Sequence, residues 1–184
     1  MLKSEEAKIN ANMDGLNNLL KALKSDYVVR VGILGSKAGT PHNKKDESEE
    51  PLTNVKLGSI HEFGAPAKNI PKRSFLEMPI KLKLALNDED TKAVKKAAWK
   101  KIFIENNPKE FFTQLGAKAL DIVIGAFETN GYGEWQAWSK AYEKSRVNKI
   151  KGKKKKQEFW LNHNILTDTG QLRRSISFKV IKNK

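Results

Sequence analysis

The segment "NPKEFFTQLGAKALDIVIGAFETNG" (107–131) constrains the fold more than any other stretch of this sequence. Asn107 can accept the orphan amide hydrogens of a first turn, and Pro108 has the φ that a first helical position requires. Glu110 stands where a capping box needs its carboxylate. Phe111, Leu115, Ala119, Ile122 or Val123, and Ala126 or Phe127 then fall along one side, and Asn130-Gly131 supplies the stop. The run "LDIVIGAF" is apolar nearly all round, which predicts a helix at the centre of the core.

A second constraint is "YVVRVGIL" (27–34), β-branched and mostly apolar, which reads as a strand covered on at least one face. Together they predict an α+β fold: one small mixed domain over residues 1–184, with a β-sheet packed against the long central helix. Ahead of the strand, Ile9, Met13, Leu16, Leu20 and Leu23 recur at steps of four and three, the stripe of an N-terminal helix within 1–25. Residues 35–52, rich in Gly, Pro and charge, read as a flexible loop.

"TNVKLGSIHEFG" (53–64) carries helix caps at both ends, Thr53 or Asn54 at the start and Gly64 at the stop, with Ile60 and Phe63 expected to face inward. Prolines at 66, 71 and 79 oppose a regular helix through the next stretch, and an extended run is expected near Phe75 and Leu76. Ile80, Leu82, Leu84 and Leu86 alternate like a strand, yet Leu, Lys and Ala are helix formers, so both readings stay open. Residues 89–105 are helical in composition, with Ala93, Ala97 and Ile102 sharing part of a face. Residues 131–163 combine glycine, aromatics and lysine. Between 140 and 156 there are nine Lys or Arg against one Glu, a crowding of like charge that reads as a basic aromatic arm.

Chemistry is sparse. With no cysteine among 184 residues, disulfides and thiolate metal sites are excluded. His42, His61 and His163 stand at no metal-ligand spacing, and "GILGSKAG" lacks both phosphate-loop and dinucleotide spacings. Asp168-Thr169-Gly170 repeats the triplet of aspartic proteases. That chemistry needs two carboxylates sharing a proton within a strand-rich fold, whereas the chain before Asp168 is largely helical. The reading that fits is a helix start, with Asp168 as N-cap, Gly170 in the same turn and Gln171 three residues on. No catalytic, cofactor-binding or metal-ligating residue is assigned, and no enzyme is expected. Apolar runs too short to span a bilayer and a polar N-terminus predict a soluble, cytoplasmically made protein.

The formal charge of +14 calls for a polyanionic neighbour or a solvated basic surface. Lys151, Lys153, Lys154, Lys155 and Lys156, flanked by Trp135, Trp138, Tyr142 and Trp160, suit either base stacking with phosphate neutralisation or a protein interface. A basic nucleic-acid-binding protein acting through this arm is therefore the alternative reading.

Three stretches taken in order carry a resemblance: "SIHEFGAPAKNIPKRSFLEMP" (59–79), "FETNGYGEWQAWSKAY" (127–142) and "ILTDTGQLRRSISFKV" (165–180). The set resembles the virion-morphogenesis and tail-completion proteins of tailed bacteriophages. Matching positions are Ile60 to Gly64, Pro71 to Leu76 with Arg73 and Phe75, Gly133 to Trp135, and Asp168 to Ile176. The resemblance implies a structural virion protein, assembled in the bacterial cytoplasm and placed at the head–tail junction. There it would form a homo-oligomeric ring, usually six-fold, between the tail terminator or tail tube and the head connector. DNA contact would be sequence-independent, through a basic lumen, and no membrane is involved.

Overall fold

In the computed structural model the long helix begins where its cap chemistry places it. Asn107 Oδ1 accepts from the Glu110 N–H (3.1 Å), and the helix runs Pro108–Glu128. The structure describes residues 12–18, 20–21, 24, 27–42, 50–84, 93, 96–97, 100, 104–105, 107–156 and 164–182. Their elements are β1 (Tyr27–Ile33), α1 (Ser36–Gly39), α2 (Asn54–Phe63), a 3₁₀ turn (Pro66–Lys68), α3 (Glu77–Lys83), α4 (Pro108–Glu128), α5 (Lys140–Lys149), α6 (Gln171–Ser175) and β2 (Ile176–Lys182). β1 and β2 pair antiparallel in a two-stranded sheet, and a helix packs against it, an α+β arrangement as the sequence predicts.

The chain divides into two compact units. One comprises Met1–Val31, Leu82–Asp121 and Phe178–Lys184, the other Gly32–Lys81 and Ile122–Ser177.

In the first unit the helix meets the sheet through aromatic rings. Tyr27 of β1 packs on Phe112 at 5.8 Å, and Phe112 meets Phe111 edge-on at 5.2 Å. Gly116 lets Phe178 of β2 lie directly on the helix, since a Cβ there would fall 2.3 Å from Phe178 Cδ2. Gly116→Ala therefore forces the ring or the strand to move, and the expected cost is about 1–3 kcal/mol, read as a lower urea midpoint at unchanged slope. Residues 12–18 are helical, as the stripe predicts, but Met13, Leu16 and Leu20 are 52%, 44% and 45% exposed. Ile9 and Leu23 of that stripe lie outside the described residues, as do Leu86 and Ile102.

In the second unit Phe75 and Phe127 are fully buried at 5.4 Å, and Trp135 meets Phe127 edge-on at 5.6 Å. Val123, Ala126, Ile165, Leu172 and Ile176 close the core.

Several expectations are corrected here. α2 is capped by Thr53, whose hydroxyl accepts from the Lys56 N–H (3.3 Å), and ends at Gly64 with φ 80. Its buried face, however, is Asn54, Gly58 and Glu62 rather than Ile60 and Phe63, and Phe63 is 70% exposed. Gly58 permits close approach to Ile33 and Phe75, and Glu62 has backbone partners, so fit and hydrogen bonding outweigh side-chain apolarity. Phe75 and Leu76 form a bend and not an extended run. Ile80 and Leu82 of the alternating stretch stand in helix α3, with Pro79 in its first turn, where a missing N–H costs little.

Residues 35–42 are not a loose loop. α1 forms there, Lys37 Nζ donates to Arg174 O (3.1 Å), and Pro41 bridges Thr53. Residues 43–49 lie outside the described residues. Nor is 131–163 an arm throughout. Residues 131–135 turn Trp135 into the core, and α5 follows, with Ser139 Oγ accepting from the Tyr142 N–H (3.2 Å). Trp160 and His163 lie outside the described residues.

Candidate interaction groove

Glu62 organises the second unit from within. It is 6% exposed, and its carboxylate accepts from Ser74 Oγ (2.7 Å) and from the amides of Phe75 (2.8 Å), Leu76 (3.0 Å) and Glu77 (3.0 Å). These amides open α3, so a side chain distant in sequence supplies that helix with its N-terminal cap and a favourable charge at the positive end of its dipole. Ser74 extends the arrangement by accepting from the Met78 N–H (2.9 Å) at Oγ and from Trp135 Nε1 (2.9 Å) at its carbonyl. Gly64, with φ 80, admits the returning chain, since a Cβ would stand 2.9 Å from Lys72 N.

A groove of about 740 Å³ lies beside this framework. Arg73 forms one wall. It is 6% exposed, and its Nε and Nη2 donate to the carbonyls of Gln136 (3.0 Å) and Ala137 (3.4 Å). Burial lowers the pKa of this guanidinium from its ordinary value. Trp138 and Tyr142, edge to face at 5.4 Å, line another part. Arg146 of α5 forms a two-pronged ion pair with Asp168, one contact at 2.8 Å, and the pairing holds the Asp168 carboxyl below its ordinary pKa. The Asp168 side chain remains 60% exposed, so screening limits the pair to at most about 1 kcal/mol.

His42 and His61 also line the groove, and their buried Nδ1 atoms have no hydrogen-bond partner among the described residues. Burial first, then the Arg73 charge and His42, lowers the His61 pKa to about 4. The unfolded chain takes up that proton near 6.5, the native state only near 4. Acidification across this window therefore favours unfolding, by on the order of 3 kcal/mol when complete. Urea titrations at stepped pH should show stability falling between pH 6.5 and 4, with a shallower fall in His61→Gln.

The residues singled out in the sequence separate on this geometry. Arg73, Trp138 and Tyr142 come together at the groove, Arg73 as a buried wall and Tyr142 half exposed. Phe75 and Trp135 are core side chains and offer no surface to a partner. Lys151, Lys153, Lys154 and Lys155 are exposed, Lys156 is partly buried, and none lines the groove. Asn107 and Gly64 cap their helices, but Asp168 does not. α6 starts at Gln171 with Gly170 in the capping position at φ 66, and the Asp168 carboxylate turns to Arg146 instead. Charge pairing across the groove takes precedence over the local cap.

Sequence reasoning missed Glu62, Ser74 and Arg146, and it gave Gln171 a place in a capping box instead of its tie between elements. Gln171 Nε2 donates to Pro41 O (2.8 Å) and Asn54 Oδ1 (3.0 Å), tying α6 to α2. A carboxylate set directly before Phe63-Gly64 was the one signal pointing to Glu62. Among the described residues no three His, Asp or Glu side chains stand together as a metal site, and no helix is long and apolar enough to cross a membrane. No protein-family model, no curated protein and no solved structure matches this chain.

Proposed function

We propose that this chain is a structural subunit of a tailed-bacteriophage virion, a tail-completion or neck protein. It forms a homo-oligomeric ring, six-fold in the family it resembles, at the head–tail junction and joins the tail to the head connector. It acts by ordered assembly, not by catalysis. One observation carries the assembly reading: the stripe Met13, Leu16 and Leu20 lies on one helix face and stays exposed in the single chain. Large apolar side chains aligned this way find their burial in a partner. The first two motif stretches lie in the second unit, as does the third up to Ser177, and there Glu62, Ser74 and Trp135 of the first two hold backbone in place.

A phage lacking the protein should accumulate filled heads and separate tails, and purified protein should give rings in negative stain. Normal infectious particles from the deletion would eliminate the proposal.

A nucleic-acid-binding role is the second reading, favoured by the exposure of Lys151, Lys153, Lys154 and Lys155. It predicts retention on DNA at low salt with a steep loss as salt rises, and replacing these lysines by alanine should abolish that retention.

A further inference from the structure

We infer that the groove of the second unit is a receptor site for a carboxylate, carried on an acidic peptide segment of a partner protein and anchored by the buried Arg73 guanidinium. The inference rests on the assembly reading in one respect, that the partner is a neighbouring protein chain.

The starting point is an uncompensated charge. Arg73 is 6% exposed, its Nε and Nη2 meet only carbonyl oxygens, and among the described residues no carboxylate pairs with it. A cation withdrawn from water is costly without an opposite charge, and two neutral acceptors replace only part of its hydration. Arginine's planar fork fits a carboxylate, and such charge-assisted hydrogen bonds are about twice as strong as neutral ones. The rest of the groove repeats the sign. Lys68 stands exposed on its rim, and the one carboxylate among the described lining residues, Asp168, is paired with Arg146. Burial is the main cause of the low His61 pKa, and the Arg73 charge lowers it further.

Size and lining select a peptide over a bare anion. A volume of about 740 Å³ exceeds what one inorganic ion fills, and Leu57, Ile70, Pro71, Trp138 and Tyr142 offer apolar contact around the cationic centre. A nucleic-acid backbone, a continuous run of negative charge, calls for a run of cations. The lysine-rich segment, better suited to that polyanion, does not line the groove.

The full chain should be titrated calorimetrically with the peptide Ac-Ala-Leu-Glu-Leu-Ala-amide and with its glutamine twin. The glutamate peptide should bind at least about tenfold more tightly, a difference of about 1.4 kcal/mol. Arg73→Lys, which keeps the charge but loses the fork, should weaken it. Because Arg73 also holds Gln136 and Ala137, Lys68→Glu provides a second reading from an exposed rim position and should weaken the glutamate peptide selectively, whereas Tyr142→Ala, which removes apolar contact, should weaken both peptides alike. Equal binding of the two peptides, binding of neither, or displacement by inorganic phosphate at matching affinity would overturn the inference. So would a response confined to a DNA oligonucleotide. Because purified protein is used, this result is independent of the phage deletion: normal particles from the deletion would remove the assembly proposal and leave the carboxylate selectivity standing, and loss of selectivity would do the reverse.

Discussion

Replacing Glu62 by alanine is expected to lower the unfolding free energy by about 3–5 kcal/mol. The carboxylate accepts four hydrogen bonds, three of them from backbone amides that open α3 and one from the Ser74 hydroxyl. Alanine leaves those donors orphaned in a buried place, where each lost acceptor costs about 1–3 kcal/mol before relaxation or water entry recovers part of it. Glu62→Gln separates charge from shape. It keeps one acceptor oxygen and turns the other position into a donor facing donors, so a loss of about 2–3 kcal/mol is expected. Urea unfolding followed by circular dichroism measures both. If each variant unfolds within about 1 kcal/mol of the parent, Glu62 is not the organising group described here.

Trp135→Ala is expected to cost about 3–5 kcal/mol, for a different reason. The indole is 7% exposed, its ring stands nearly perpendicular to that of Phe127, and its Nε1 donates to Ser74 O at 2.9 Å. Truncation opens a cavity in the centre of the second unit and orphans a carbonyl in the chain that Glu62 supports. Trp135→Phe keeps most of the ring volume and should lose only about 1–2 kcal/mol, mainly the hydrogen bond. The pair tests two roles for the same residue. A Trp135→Ala protein as stable as the parent but unable to join its partners would make Trp135 an interface side chain, against its burial. Because Glu62 and Trp135 meet at Ser74, the double variant should lose less than the sum of the two.

The groove shows what a reading by residue type can and cannot reach. Trp138 and Tyr142 stand out in the sequence as aromatics that concentrate binding energy, Arg73 through the resemblance, and they do come together. Phe75 and Trp135 belong to the same residue classes but are core side chains. Type alone does not say which way a ring points. Glu62 and Arg146 escaped notice because a carboxylate or guanidinium on a helix is usually solvated, and its partners here are distant in sequence.

What the sequence determines by itself is local. Asn107 with Pro108, Thr53 with Gly64, and the β-branched run of β1 act through bonds and sterics within a few residues, and each forms where its chemistry requires. What only the tertiary structure decides is the competition between a local partner and a remote one. Asp168 could have capped the helix beside it and pairs with Arg146 instead. α3 receives its cap from Glu62, and α2 buries Glu62 while leaving Phe63 in water. Asp168, at the surface, meets an opposite charge within reach; for Glu62 the deciding quantity is the hydrogen bonding of buried polar groups, whose cost when unmet exceeds local preference. That quantity depends on which distant segments the fold brings within reach.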